Sequence, residues 1–114
     1  MGRELSVKTS MDQREIARIS RALGDPTRLR ILESISARKG KEMFCGQVVE
    51  EYKLTPGTIS HHLKILADAE LISTRREGQF IYLQPRPETL HDYSRALANI
   101  AGKRSPTKKA ASKS

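Results

Sequence analysis

Four polar side chains near the start of one predicted helix hold the densest chemistry in this chain: Thr58, Ser60, His61 and Lys64. Hydroxyl, imidazole and ammonium groups at this spacing can hydrogen-bond and hold anions. With Ile59 set at zero and each residue advancing about 100°, Leu63 and Leu66 fall within about 40° of it. Those three mark an inward face. Gly57, His61, Lys64 and Asp68 fall on the opposite side, flanked by Thr58 and Ser60. His62 sits at the edge of the inward face and is expected to pack on the core. Ser60 and His61 are neighbours in sequence but point about 100° apart, so they make no nucleophile–base pair. No Gly-rich phosphate loop and no complete metal set accompanies them, so no enzyme is expected. The outward N-terminal residues of such a helix suit the DNA major groove. Thr58, Ser60 and His61 would meet base edges or phosphates there, and Lys64 a phosphate. The competing reading is an ordinary amphipathic helix with a solvated polar face.

A second polar group follows closely. Arg75, Arg76 and Gln79 surround Arg76-Glu77-Gly78, a predicted hairpin turn. They would touch phosphates or the minor groove, or stand as solvated turn charges. One more reactive group is Cys45, the single cysteine. At the start of a helix, free amides would lower its thiol pKa and make it a candidate redox switch; otherwise it is a small helix-start or core residue.

Elements must hold these groups in place. The Ser10…Gln13 spacing predicts a capping box and a first helix with Ile16, Ile19 and Leu23 on its apolar stripe. Gly24 ends it. Asp25-Pro26 restarts the chain as N-cap and first helical residue, and Leu29, Ile31, Leu32 and Ile35 form the buried side of a second helix. A third helix is predicted from Cys45 to Tyr52. Thr55-Pro56 opens the fourth, which runs to about Ala69. Leu71–Arg75 and Gln79–Leu83 read as short strands. Pro85 and Pro87 interrupt the chain, and a last helix from about Glu88 to Ala101 carries Leu90, Tyr93, Leu97 and Ile100 on one stripe. The five aromatics (Phe44, Tyr52, Phe80, Tyr82 and Tyr93) are spaced like core residues rather than like an RNA-stacking platform. The fold expected is mainly α, a winged helix-turn-helix of about five helices with a two-stranded β-hairpin wing.

Composition bounds the partners. The 114 residues suffice for one domain, and 21 basic against 13 acidic side chains give a formal charge of +8. Lys103, Arg104, Lys108, Lys109 and Lys113 lie in a tail with no acid, leaving a balance of +3 for the remainder. Three parts are expected: a flexible lead-in over residues 1–9, a folded domain over 10–101, and a disordered basic tail over 102–114. The tail either tracks phosphates or simply solubilises the chain. One cysteine, no long apolar run and no secretion signal are the pattern of a cytoplasmic protein, nucleoid-associated when bound to DNA, with no membrane partner.

Three separate stretches resemble the ArsR/SmtB family of bacterial winged-helix repressors. They are Ala22-Leu23-Gly24-Asp25-Pro26-Thr27-Arg28-Leu29-Arg30-Ile31-Leu32, then Thr58-Ile59-Ser60-His61-His62-Leu63-Lys64-Ile65-Leu66, then Arg75-Arg76-Glu77-Gly78-Gln79-Phe80-Ile81-Tyr82. The resemblance covers roughly residues 16–84. It implies double-stranded DNA with an imperfect palindromic operator as partner, and Ser60 and His61 facing it. It also implies a homodimer built by the first and last helices, for which Ile16, Ile19, Leu90, Tyr93, Leu97 and Ile100 are the candidates, although those stripes could equally be core. Many relatives release DNA on binding metal. At one family site the two ligand positions hold Phe44 and Gly46 here, with Cys45 between them; at the other they hold Arg86, Glu88, Asn99 and Gly102. Neither assembles three or four ligands. No metal switch and no cofactor is therefore expected. The alternatives left open are a thiol- or metal-responsive repressor of this family and a sequence-neutral basic protein of the nucleoid or of RNA.

Overall fold

A computed structural model describes residues 11–38 and 42–102. The two predicted tails therefore fall almost wholly outside the described residues. Helix α1 spans Gln13–Leu23, α2 Pro26–Ser36, α3 Cys45–Tyr52, α4 Pro56–Asp68 and α5 Pro87–Ala101. Strands β1 (Met43–Phe44), β2 (Ile72–Glu77) and β3 (Phe80–Pro85) form an antiparallel sheet in the order β1-β3-β2. Five helices and a hairpin wing are as the residue pattern predicts. The third strand is new. Two residues are too short to show periodicity, and Met43 and Phe44 join the sheet only because Leu83 and Tyr82 lie opposite them.

Local chemistry sets the boundaries. The first helix is capped by Asp12, not Ser10. Asp12 accepts from the Glu15 amide at 2.9 Å, and Glu15 accepts from the Asp12 amide at 3.1 Å. Two carboxylates at the positive end of a helix outdo a Ser–Gln pair. Asp25 caps α2 through the amides of Thr27 and Arg28 at 2.8 and 3.2 Å. These bonds, led by that from Arg28, hold its carboxyl below the usual range against the opposing effect of burial. Thr55 caps α4 at the Thr58 amide, with Pro56 next. The wing turns tightly on Gly78-Gln79. Gly78, at φ +63°, supplies the left-handed geometry that the first residue of such a turn requires.

One core serves all elements. It collects Ile19 and Ala22 from α1, Ile31, Leu32 and Ile35 from α2, Val48 from α3, Ile59, Leu63 and Leu66 from α4, and Met43, Ile72 and Leu83 from the sheet. Two expectations fail here. Leu29 is 41% exposed, because it lies about 160° around α2 from Ile31. Phe80 is 47% exposed and stacks with Phe44 and Tyr82 on the outer face of the sheet instead of entering the core.

The end of α4 is locked to the start of α5. Glu70 takes φ +61°, the Leu71 amide reaches back to the Leu66 carbonyl at 3.0 Å, and the Glu70 amide to Ala67 at 2.9 Å. This is a Schellman closure on a non-glycine residue. Thr89, buried in the first turns of α5, donates its hydroxyl to the Glu70 carbonyl at 2.6 Å. Thr89→Val keeps the shape and leaves that carbonyl without its partner. Urea unfolding should show a loss of about 1–3 kcal/mol; an unchanged midpoint would mean the bond carries no stability.

Candidate nucleic-acid interface

The outward face of α4 is where the residue pattern places it. Ile59, Leu63 and Leu66 are buried, while Thr58, Ser60, His61 and Lys64 are all exposed. Thr58 accepts from the Thr55 hydroxyl at 2.9 Å, so its own hydroxyl proton points to solvent or a ligand. Lys64 pairs with Asp68 at 3.3 Å, but both are well exposed, and such a pair is worth little and exchanges readily for another anion. Gly57 has open space around it, so the backbone can be approached closely there.

The wing separates its two arginines. Side chains on a strand alternate, and the register Arg75↔Tyr82 and Arg76↔Ile81 puts the two on opposite faces. Arg75 is engaged. It contacts Glu42 at 2.5 Å and Glu77 at 2.6 Å, and its guanidinium lies 4.7 Å from the centre of the Tyr82 ring. The Glu42 hydrogen bond, followed by the nearby charges of Glu42 and Glu77, raises its pKa further. Arg75 was expected either to touch phosphates or the minor groove or to stand as a solvated turn charge; here its charge is paired with Glu42 and Glu77. Arg76 and Gln79 are exposed, and among the described residues Arg76 is in no ion pair. Nothing in the sequence announces Glu42, which stands 33 positions from its partner.

His62 is half-buried, and its Nδ1 lies 3.2 Å from an Arg28 terminal nitrogen. A guanidinium has no acceptor, so Arg28 donates and His62 presents a lone pair at Nδ1. The same guanidinium, only 11% exposed, donates from Nε to the Ala22 carbonyl at 2.8 Å and from Nη2 to the Arg21 carbonyl at 3.3 Å. It also lies 3.9 Å from the Asp25 carboxylate. A single cation thus satisfies the last carbonyls of α1, faces the N-cap of α2 and fixes the side of α4. Among the polar positions of the chain this one escapes a search for solvent-facing chemistry. Its signal is the Gly24-Asp25-Pro26-Thr27-Arg28 run, which the residue pattern marks as a helix start within a family-like stretch without assigning Arg28 a partner.

The remaining candidates sort by burial. Ile19 is 2% exposed and belongs to the core of its own chain, which removes it from any interface between chains. Ile16, Leu90 and Tyr93 are half-buried, and the Tyr93 hydroxyl meets Ser20 at 2.8 Å, tying α5 to α1. Leu97 at 42% and Ile100 at 69% are left uncovered on α5. Cys45 does open α3, but burial pushes its thiol pKa up, opposite to the lowering expected from the helix start. Among the described residues no group of three or more His, Cys, Asp or Glu could hold a metal ion, and no helix is long and apolar enough to cross a membrane.

A reading helix with a polar outer face, preceded by a short helix and followed by a projecting hairpin, defines a transcriptional regulator of the winged helix-turn-helix class. The comparisons agree with this. Residues 25–74 match the profile of bacterial regulatory proteins of the arsR family. The transcriptional repressor SdpR of Bacillus subtilis is 39% identical over 85 residues, which are 75% of this chain and 91% of that one. An ArsR-like transcriptional regulator from Rhodococcus shares the fold with a TM-score of 0.67 at 23% identity, over 76% of this chain and 79% of that chain. A homodimeric winged helix-turn-helix DNA-binding domain from Mycobacterium bovis does so with a TM-score of 0.61 at 19% identity, over 92% and 91%. The chain belongs to the ArsR family of bacterial regulatory proteins.

Arg28 and His62 should act as a coupled pair. Arg28→Met is expected to cost roughly 2–3 kcal/mol in urea unfolding, since it removes the side-chain donor to the Ala22 carbonyl and to the imidazole, while the Arg21 carbonyl keeps the Gly24 amide. His62→Asn, whose side-chain oxygen can replace Nδ1 as acceptor, should keep most of the stability that His62→Phe loses. In a double-mutant cycle the Arg28–His62 coupling should be about 1 kcal/mol; strict additivity would show that the contact is incidental.

Proposed function

We propose that this protein is a homodimeric, sequence-specific repressor that binds double-stranded DNA at an imperfect palindrome, acting in the cytoplasm on the nucleoid. The observation that carries the reading is the division of α4. Its three large apolar residues are sealed in the core, while Thr58, Ser60, His61 and Lys64 stand exposed along the outer face beside a projecting wing. The N-terminal half of α4 enters the major groove. Thr58, Ser60 and His61 meet base edges or phosphates, and Lys64 takes a phosphate. Hydroxyls bond to several bases, so these contacts discriminate modestly and a second half-site is needed for a unique address. Arg76 and Gln79 on the wing add backbone or minor-groove contacts. Arg75 stiffens the wing instead. The basic residues Lys103, Arg104, Lys108, Lys109 and Lys113 lie outside the described residues and would add salt-sensitive affinity without specificity.

Dimerisation has its own support. Leu97 and Ile100 are large, apolar and uncovered on the last helix, a costly arrangement for a lone chain. The similar Mycobacterium bovis domain is homodimeric, and the similar SdpR is a repressor. Those two facts support the present reading by likeness. No metal site is assigned: the positions at which many relatives bind metal hold Phe44 and Gly46, and Arg86, Glu88, Asn99 and Gly102.

Capture of genomic fragments by the purified protein, followed by competition between the recovered site and random duplex, tests the reading. The recovered site should show twofold symmetry and outcompete random DNA by at least about a thousandfold. Equal competition would leave a sequence-neutral basic protein. On that site, Ser60→Ala and His61→Ala should each cost about 1–3 kcal/mol of binding. Arg76→Ala should lower the slope of log affinity against log salt by about one, whereas Arg75→Ala should leave it nearly unchanged. Equal slopes for the two arginine variants would contradict the division of the wing. Ile100→Asp should shift sedimentation from dimer to monomer, and a persistent dimer would place the interface elsewhere.

A further inference from the structure

A cleft of about 440 Å³ opens between the end of α2, β1 and α3, lined by Ser34, Ala37, Arg38, Met43 and Glu51. None of these residues belongs to the proposed DNA surface. The walls are oppositely charged. Arg38 comes from the end of α2 and Glu51 from α3, and among the described residues neither is in an ion pair. The Arg38 Nε is buried, and among the described residues it has no hydrogen-bond partner. A buried donor left unmet is destabilising, and only a shift of the Arg38 side chain toward the cleft would bring this nitrogen to an oxygen ligand; it is the rest of the guanidinium that lines the cleft.

Ser34 completes the arrangement. The Tyr52 hydroxyl donates to the Arg30 carbonyl at 2.9 Å, so in the 2.7 Å contact between Ser34 and Tyr52 it is Ser34 that donates. The Ser34 oxygen then keeps its acceptor lone pairs for another donor. The cleft therefore offers a guanidinium on one wall, and a carboxylate and a hydroxyl acceptor elsewhere. Ala37 and Met43 add apolar surface.

We propose that this cleft binds a small zwitterion of the α-amino acid class. The ligand carboxylate takes the Arg38 guanidinium. Its ammonium group takes Glu51 and the Ser34 oxygen, and a small aliphatic side chain lies against Ala37 and Met43. A plain carboxylate would leave Glu51 unused, and a plain amine would leave Arg38 unmet. Helix α3 packs directly on α4, so a ligand that ties α3 to α2 reaches the reading helix. That coupling to DNA affinity rests on the function proposed above; the binding site itself does not.

Calorimetric titration of the full-length protein with glycine, L-alanine and L-valine tests the site, with acetate and methylammonium as single-charge controls. At least one amino acid should bind saturably with one site per chain, and both controls should bind at least about tenfold more weakly. Arg38→Met and Glu51→Gln should each weaken amino-acid binding by about tenfold or more. Arg38→Met removes the unmet donor, so its melting temperature should be no lower than that of the unsubstituted protein, which separates lost binding from lost fold. The site is overturned if none of the three amino acids binds saturably at millimolar concentration, or if neither substitution changes binding. Acetate binding as tight as the amino acid, with Glu51→Gln unaffected, overturns the zwitterion assignment. Retention of the captured operator is measured in parallel. Amino-acid binding without DNA retention supports the cleft and counts against the operator reading; DNA retention without amino-acid binding does the reverse.

Discussion

The position of the reading helix depends on one guanidinium. Arg28 sits where α1 ends, α2 begins and α4 passes, and it has a hydrogen-bond partner on each side. A cation this buried is tolerated only where carbonyls and a carboxylate surround it, and here they do. Arginine is suited to the place because its planar fork reaches three directions at once, which a lysine ammonium on a flexible stem cannot match. The consequence for function is indirect. Arg28 touches no outward residue, yet through His62 it adds a polar tie to the rotation of α4 that the burial of Ile59, Leu63 and Leu66 sets, and so helps to hold the outward side chains in place.

The wing follows a related rule. Two adjacent arginines look equivalent in sequence, but a strand sends neighbours to opposite faces. On the outer face Arg75 finds Glu42, Glu77 and the Tyr82 ring, and becomes part of the scaffold. On the other face Arg76 keeps its charge available. The aromatic cluster of Phe44, Phe80 and Tyr82 backs this arrangement and binds the short strand β1 to the wing. The hairpin is thus a three-stranded, braced structure rather than a loose two-stranded flap, which an isolated hairpin would be.

Much of this was legible from local signals. The Asp25-Pro26 and Thr55-Pro56 starts, the Ile59/Leu63/Leu66 face and the Gly78 turn each rest on short-range physics, and each lies where it was expected. The positions that local signals misread or left open share one cause. Ile19 on a helix stripe, Leu29 beside Ile31, Phe80 on a strand and Arg75 in a wing all have identities that fit two environments. Only the tertiary setting decides between them: the body of the domain buries Ile19, the side of α2 opposite Ile31 is left uncovered and Leu29 with it, and Glu42 claims Arg75. The thiol of Cys45 shows the same limit, since the helix start was readable and the enclosing side chains were not.

The elbow at Glu70 and Thr89 has a geometric corollary. In a dimer joined through α5, each reading head hangs from the twofold axis by this joint, where a left-handed backbone residue, a closed helix end and a buried hydroxyl from 19 residues further along meet at one carbonyl. A joint of that kind has little play. On the proposed palindrome such a pair would behave as a caliper with fixed jaws: it would accept changes of base within a half-site more readily than a one-base-pair insertion between half-sites, because the insertion would rotate one jaw out of its groove by about a tenth of a helical turn.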